Sequence, residues 1–200
     1  MKILKRIGIL ILLGIVISGI FGYNYYNMIF TQNVPDELET DLVQIPKGSD
    51  FDEVVTILKD GGFIEDENSF SWVAKRMGYA KNPMRNGQYK IEKGISNKRL
   101  VSILRGHKET PVQFVIHNKR TLEQVAGHCG KYFEADSLDF LEAIMDESFW
   151  SKHGYNLETA MSAFIPNTYQ IYWTIAPKDL FLRMIKPRPP DWTVIYANVA

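Results

Sequence analysis

The chain has 200 residues, 46% apolar and 23% charged, with Lys plus Arg balancing Asp plus Glu to a formal net charge of zero. That is enough apolar material for one or two small domains with real cores, and the missing basic excess argues against nucleic acid, whose binding rests on neutralising phosphates. The single cysteine, Cys129, excludes an intrachain disulfide. The four histidines, His107, His117, His128 and His153, fall in no ligand spacing such as HExxH, so a metal site is not expected.

The N-terminus begins with a basic flank, residues 1–6, carrying Lys2, Lys5 and Arg6. An uncharged run follows through Phe30, and residues 7–26 supply about the 20 apolar positions that cross a bilayer. Tyr23, Tyr25 and Tyr26 then form an interfacial aromatic belt. The basic flank stays in the cytoplasm, which makes the chain a single-pass protein of the inner (plasma) membrane with its bulk outside the cytoplasm. A cleaved signal peptide is the competing reading. The length of the apolar run and the lack of a prompt small-x-small site stand against it. Residues 27–41, polar and holding Pro35, read as a stalk.

Three short strand–turn–helix units follow. In the first, residues 42–45 form a strand, Asp50 and Glu53 a capping box, and Phe51, Val54, Val55 and Leu58 one helix face. In the second, Tyr89 and Ile91 alternate as a strand, and Ser96 caps a helix carrying Leu100, Val101 and Leu104. A helix over 69–77 lies between these two, so the order is βααβ. In the third, Val112, Phe114 and Ile116 alternate as a strand, Thr121 and Gln124 form a capping box, and Leu122, Val125 and Cys129 make the buried stripe. Cys129 is therefore expected as a small core residue rather than a nucleophile. A further helix over 137–146 should turn Leu138, Leu141 and Met145 inward, and residues 179–186 form another with Leu180, Phe181 and Met184 apolar. Short strands interspersed with helices indicate an α+β fold.

The most distinctive stretch is AFIPNTYQIYW, residues 163–173, with an expected Pro-Asn-Thr turn in its middle. Read on the residues alone, its aromatic and aliphatic side chains suit a core.

Taken in order, IPKGSDFDEVVTILKDGGFI, GQYKIEKGISNKRLVSILRGH, VQFVIHNKRTLEQVA and FIPNTYQIYW behind an anchor resemble the endolytic murein transglycosylase (YceG-like) family. The resemblance covers residues 42–186, and it implies a mixed role for residues 163–173, with Ile165 and Ile171 buried and Asn167, Thr168, Tyr169, Gln170 and Trp173 facing a glycan groove whose aromatic wall packs on sugar rings. It implies a LysM-like βααβ subdomain over 42–109, part of a YceG-like catalytic domain over 110–186, and an atypical tail over 187–200. The implied activity is lytic cleavage of nascent peptidoglycan glycan strands to 1,6-anhydro-muramyl ends, during wall synthesis and remodelling, with cell-wall synthases as neighbours and no cofactor. Such chemistry needs a carboxyl acid to protonate the leaving oxygen, since the muramyl C6 hydroxyl is itself the nucleophile. Two motif positions where family members carry that Glu are Met161 and Gln170 here, neither of them an acid. Glu158 and Asp179 are the nearest carboxyls in sequence, and Glu158 is the substitute candidate beside Gln170. The alternative reading is a membrane-anchored peptidoglycan-binding or scaffold protein that does not cut. The proline-rich start of the tail reads as an out-of-frame segment standing where the family's further lobe is expected.

Overall fold

A computed structural model describes residues 2–81, 83–106, 109–117 and 119–185, with side chains from residue 11 onward. His107 and the tail expected from residue 187 lie outside the described residues. The chain forms two compact units, Met1–Thr110 and Pro111–Ala200, and its mixture of helices and strands agrees with an α+β class.

The first unit opens with one long helix, α1 (Lys2–Phe30), of which Ile11–Phe30 is long and apolar enough to cross a membrane. The order β1 (Leu42–Ile45), α2 (Phe51–Asp60), α3 (Glu67–Arg76), β2 (Gly87–Lys90) and α4 (Asn97–Arg105) follows. β1 and β2 pair antiparallel with Val43 opposite Tyr89, so the two helices between them form a βααβ unit. The expected capping box starts α2: the Glu53 amide donates to Asp50 Oδ1 and the Asp50 amide to Glu53 Oε2, both at 2.9 Å. α3 begins earlier than expected because Asp66 caps it, accepting from the Asn68 and Ser69 amides. Ser69 therefore lies inside the helix and is buried. Ser96 precedes α4 as expected, but its side chain makes no capping bond. Val43, Val54, Leu58, Phe70, Leu100 and Leu104 are the centre of this core.

The segment read as a stalk is not free. Val34 is fully buried, and the Asn33 and Val34 amides both donate to the Ile95 carbonyl at 3.1 Å. The reason is chemical: Asn33 completes a buried amide network with Asp66, Asn97 and Ser69 that water would otherwise have to satisfy.

The second unit runs β3 (Val112–Ile116), α5 (Leu122–Cys129), α6 (Ser137–Ile144), α7 (Glu147–Ser151), a 3-10 turn (Ala160–Ala163), β4 (Asn167–Ile171) and α8 (Pro177–Ile185). Its core is aromatic, with Phe114, Phe133, Phe140, Trp150, Phe164 and Phe181 in one cluster. The Trp150 indole N–H finds the Ile144 carbonyl at 2.7 Å, which permits its complete burial. Cys129 is fully buried, as expected.

Two expectations are corrected here. α6 buries Phe140, Ala143 and Ile144, whereas Leu138 is 70% and Met145 38% exposed. Its apolar residues cover more than one face, and its packing against α5 and α8 sets which face turns inward. α7 is a further short helix, which Asp146 starts by accepting from the Ser148 and Phe149 amides. The expected turn at Pro166–Asn167–Thr168 is absent, because Asn167 already opens β4 and pairs with Ile116.

Candidate functional site

β3 and β4 run antiparallel with Gln113 opposite Gln170, Phe114 opposite Tyr169 and Val115 opposite Thr168. Side chains alternate across the pair, as in any strand. Phe114, Ile116 and Ile171 face the core and are buried. Gln113, Val115, Thr168 and Gln170 are exposed. Two amides, a hydroxyl and one aliphatic patch therefore share an outer face. Each amide donates and accepts, and the hydroxyl does both, so the face suits a ligand rich in hydroxyl and amide groups. It carries no charge.

The alternation divides the residues that the motif grouped together. Thr168 and Gln170 lie outward. Asn167 and Tyr169 are half-buried on the opposite side, where Tyr169 packs against the core and donates its hydroxyl to the Ile165 carbonyl at 3.2 Å. Trp173 is half-buried beyond the strand, and its carbonyl accepts the Glu134 amide at 3.0 Å. Ile165, expected inside, is 48% exposed, and Phe164 takes the buried place at 8%. Ile165 follows the 3-10 turn, outside the strand alternation that sends Ile171 inward. Gln113 is the residue the motif overlooked. Its signal is the polar position within the alternating VQFVI of β3.

Neither family acid position supplies a proton. Met161 is half-buried against the core. Gln170 is exposed but carries an amide. Glu158 is exposed in the turn before the 3-10 segment, flanked by the reciprocal bonds of Asn156 and Thr159: the Asn156 amide to Thr159 Oγ1 at 2.9 Å, and the Thr159 amide to Asn156 Oδ1 at 2.8 Å.

The free edge of β3 is partly covered. The His128 Nε2–H donates to the Val115 carbonyl at 2.8 Å, and the His128 ring lies 5.3 Å from Phe114 and 5.0 Å from Tyr132. Burial pushes the neighbouring Cys129 thiol up to about 12, which leaves it an unreactive core group.

A second cleft of the same unit, about 670 Å³, is lined by Asp139, Glu142, Asp146 and Lys178. Its carboxylates are largely occupied. Asp139 closes the α6 capping box. Asp146 caps α7 and meets Lys178 Nζ at 2.7 Å. The Lys178 hydrogen bond, followed by that of Ser148, holds the Asp146 carboxyl well below the usual range, so it is a poor proton donor. Among the described residues no group of three or more His, Cys, Asp or Glu side chains is placed to hold a metal ion.

Compared with known proteins, residues 43–193 match the model of the YceG-like family. Two curated proteins named endolytic murein transglycosylase, from Streptococcus pneumoniae serotype 2 (strain D39 / NCTC 7466) and Streptococcus pneumoniae (strain ATCC BAA-255 / R6), are each 28% identical over 144 residues. Those residues are 68% of this chain and 24% of each relative, so the chain spans about a quarter of the length of the curated relatives it matches. A crystal structure of a yceG-like protein from Listeria monocytogenes aligns with 72% of this chain and 52% of its own at 21% identity, with a TM-score of 0.37.

Proposed function

The chain belongs to the YceG-like family, and from that premise we propose that it is a membrane-anchored protein acting on peptidoglycan glycan strands by lytic transglycosylation. Its outer β3–β4 face carries this reading: Gln113, Thr168 and Gln170 offer neutral donors and acceptors to a polymer of N-acetylated sugars. On this reading α1 is a single-pass anchor in the inner membrane with the basic flank in the cytoplasm. Residues 42–109 are a LysM-like glycan-holding module, residues 110–186 are part of a catalytic domain, and cell-wall synthases are its neighbours.

The reaction breaks the bond between the muramyl anomeric carbon and the leaving O4. The muramyl O6 bonds to that carbon, its proton is removed, and O4 receives a proton. No water is consumed, and the product end is a 1,6-anhydro ring. The step is intramolecular, so holding the sugar in the right geometry supplies much of the rate, and a single carboxyl can manage both proton transfers. Glu158 is the acid assigned to this role, with Gln170 holding the sugar.

A second reading, glycan binding without cleavage, is favoured by a specific observation. Neither face of the described β3–β4 pair presents a carboxylate. One experiment separates the two. The full chain in detergent micelles is incubated with purified sacculi, and both retention and soluble muropeptides are measured. Retention with release of anhydro-muropeptides supports cleavage, and its loss in Glu158→Gln identifies the acid. Retention without release supports binding alone. No retention overturns both.

A further inference from the structure

α1 does not stop at a membrane boundary but runs into the first unit. Its last turns pack on α3 and α4, and a groove of about 460 Å³ opens beside them. The floor is apolar, with Ile29 and Met77. Tyr25 stacks on Trp72 at 5.1 Å. Two cations stand at the rim: the Arg76 guanidinium lies 5.6 Å from the Trp72 ring, and Lys98 Nζ lies 4.9 Å from the Phe30 ring. No carboxylate lines the groove, and neither cation joins any of the unit's ion pairs among the described residues.

Depth decides what this groove meets. As a helix, the uncharged run of residues 7–30 is about 36 Å long. The hydrocarbon core of a bilayer is about 30 Å thick, with roughly 5–8 Å of headgroup on each side. The last turn of α1, with Phe30, Arg76 and Lys98, therefore falls at headgroup level. The groove is also continuous with the exposed apolar surface of α1, where Ile20, Phe21 and Tyr26 are at least 57% exposed.

We propose that this groove binds one anionic glycerophospholipid of the surrounding membrane, with its phosphate between Arg76 and Lys98 and its upper acyl chain along Ile29 and Met77. The inference rests on the reading of α1 as a membrane anchor. A free soluble anion would gain nothing from the apolar floor, and a zwitterionic headgroup would find no carboxylate for its ammonium group. Two cations at an anionic membrane surface supply about a thirtyfold preference over a neutral lipid.

The test uses the full chain, delipidated in a neutral detergent, mixed with equal amounts of phosphatidylglycerol and phosphatidylcholine, and examined by native mass spectrometry. The expected result is one retained phosphatidylglycerol, favoured about thirtyfold. The Arg76→Gln, Lys98→Gln double variant should lose that preference, and Lys59→Gln with Lys90→Gln, which removes two cations elsewhere on the unit, should keep it. An unchanged preference in the first double variant, or no preference in the parent, overturns the groove. Excess glycerol phosphate that displaces the lipid completely overturns the role of the apolar floor. Flotation with pure phosphatidylcholine vesicles after a carbonate wash tests the anchor separately. Failure to float overturns the anchor and this inference with it, whereas flotation without lipid preference overturns the groove alone.

Discussion

Asn33 and Asn97, far apart in sequence, are joined by a buried hydrogen bond of 2.7 Å from Asn33 Nδ2 to Asn97 Oδ1. Asn97 Nδ2 donates in turn to the Met28 carbonyl and to Ser69 Oγ, each at 2.9 Å. One side chain thus fastens the end of α1, the segment after it and α3. Asn97→Ala should destabilise the first unit by about 2–3 kcal/mol, because each buried group left without a partner costs on that order. Urea denaturation in micelles measures it, and a change below about 0.5 kcal/mol, the size of an ordinary surface substitution, would contradict the network.

Gly130 lies where α5 ends against the start of α6. A Cβ there would stand 2.5 Å from the Ser137 amide nitrogen, a backbone atom that cannot step aside. Its φ of −62° is ordinary, so the requirement is for space rather than for an unusual backbone shape. Gly130→Ala should cost about 1–3 kcal/mol in the second unit by overpacking. Gly127→Ala, at a position with open space around it, is the control, expected to be neutral or mildly stabilising in the same denaturation assay.

Cys129 gives a pH dependence whose sign is fixed. Its thiol ionises near 9.0 in the unfolded chain and about 12 in the folded one. Below pH 9 both states hold the proton and stability is independent of it. Above pH 9 the unfolded state loses the proton first, so stability falls as pH rises toward 12, by up to about 1.4 kcal/mol per pH unit. The difference between the parent and Cys129→Ala isolates this contribution from the lysines and tyrosines that titrate nearby. Iodoacetamide at pH 8 should label the thiol only after urea is added.

Gln113 and Gln170 face each other on the outer side of the sheet. Alanine at either should weaken retention on sacculi about 2- to 10-fold, the worth of one neutral hydrogen bond, without changing stability. Gln170→Glu places a carboxyl on this otherwise uncharged face. If the chain binds without cutting, release of anhydro-muropeptides should appear in that variant and not in the parent.

Elements bounded by local chemistry were readable in the residues themselves. The Asp50–Glu53 box, the alternation of Val112, Phe114 and Ile116 and the stripe of Leu122, Val125 and Cys129 all depend on neighbours within a turn or two. What depended on distant partners was not readable. Asn33 looks like a polar linker residue until Asn97 and Asp66 meet it. α6 has apolar residues on several sides, and only its packing against α5 and α8 chooses among them. The site followed the same rule. Gln170 was evident as an amide in place of an acid, but that Tyr169 turns away from it while Gln113 stands beside it follows from the β3–β4 register, which no local pattern states.

The unbroken passage of α1 into the first unit has a mechanical meaning. A free tether over residues 31–41 would let the unit wander up to about 36 Å from the bilayer at full extension. With Val34 buried and Met28 tied to Asn97, that leash does not exist. On the proposed reading of α1 as a membrane anchor, the first unit instead rides at a fixed height and a fixed rotation about the helix axis. On that reading it samples a thin layer next to the lipid, so whatever it holds must be presented to it there.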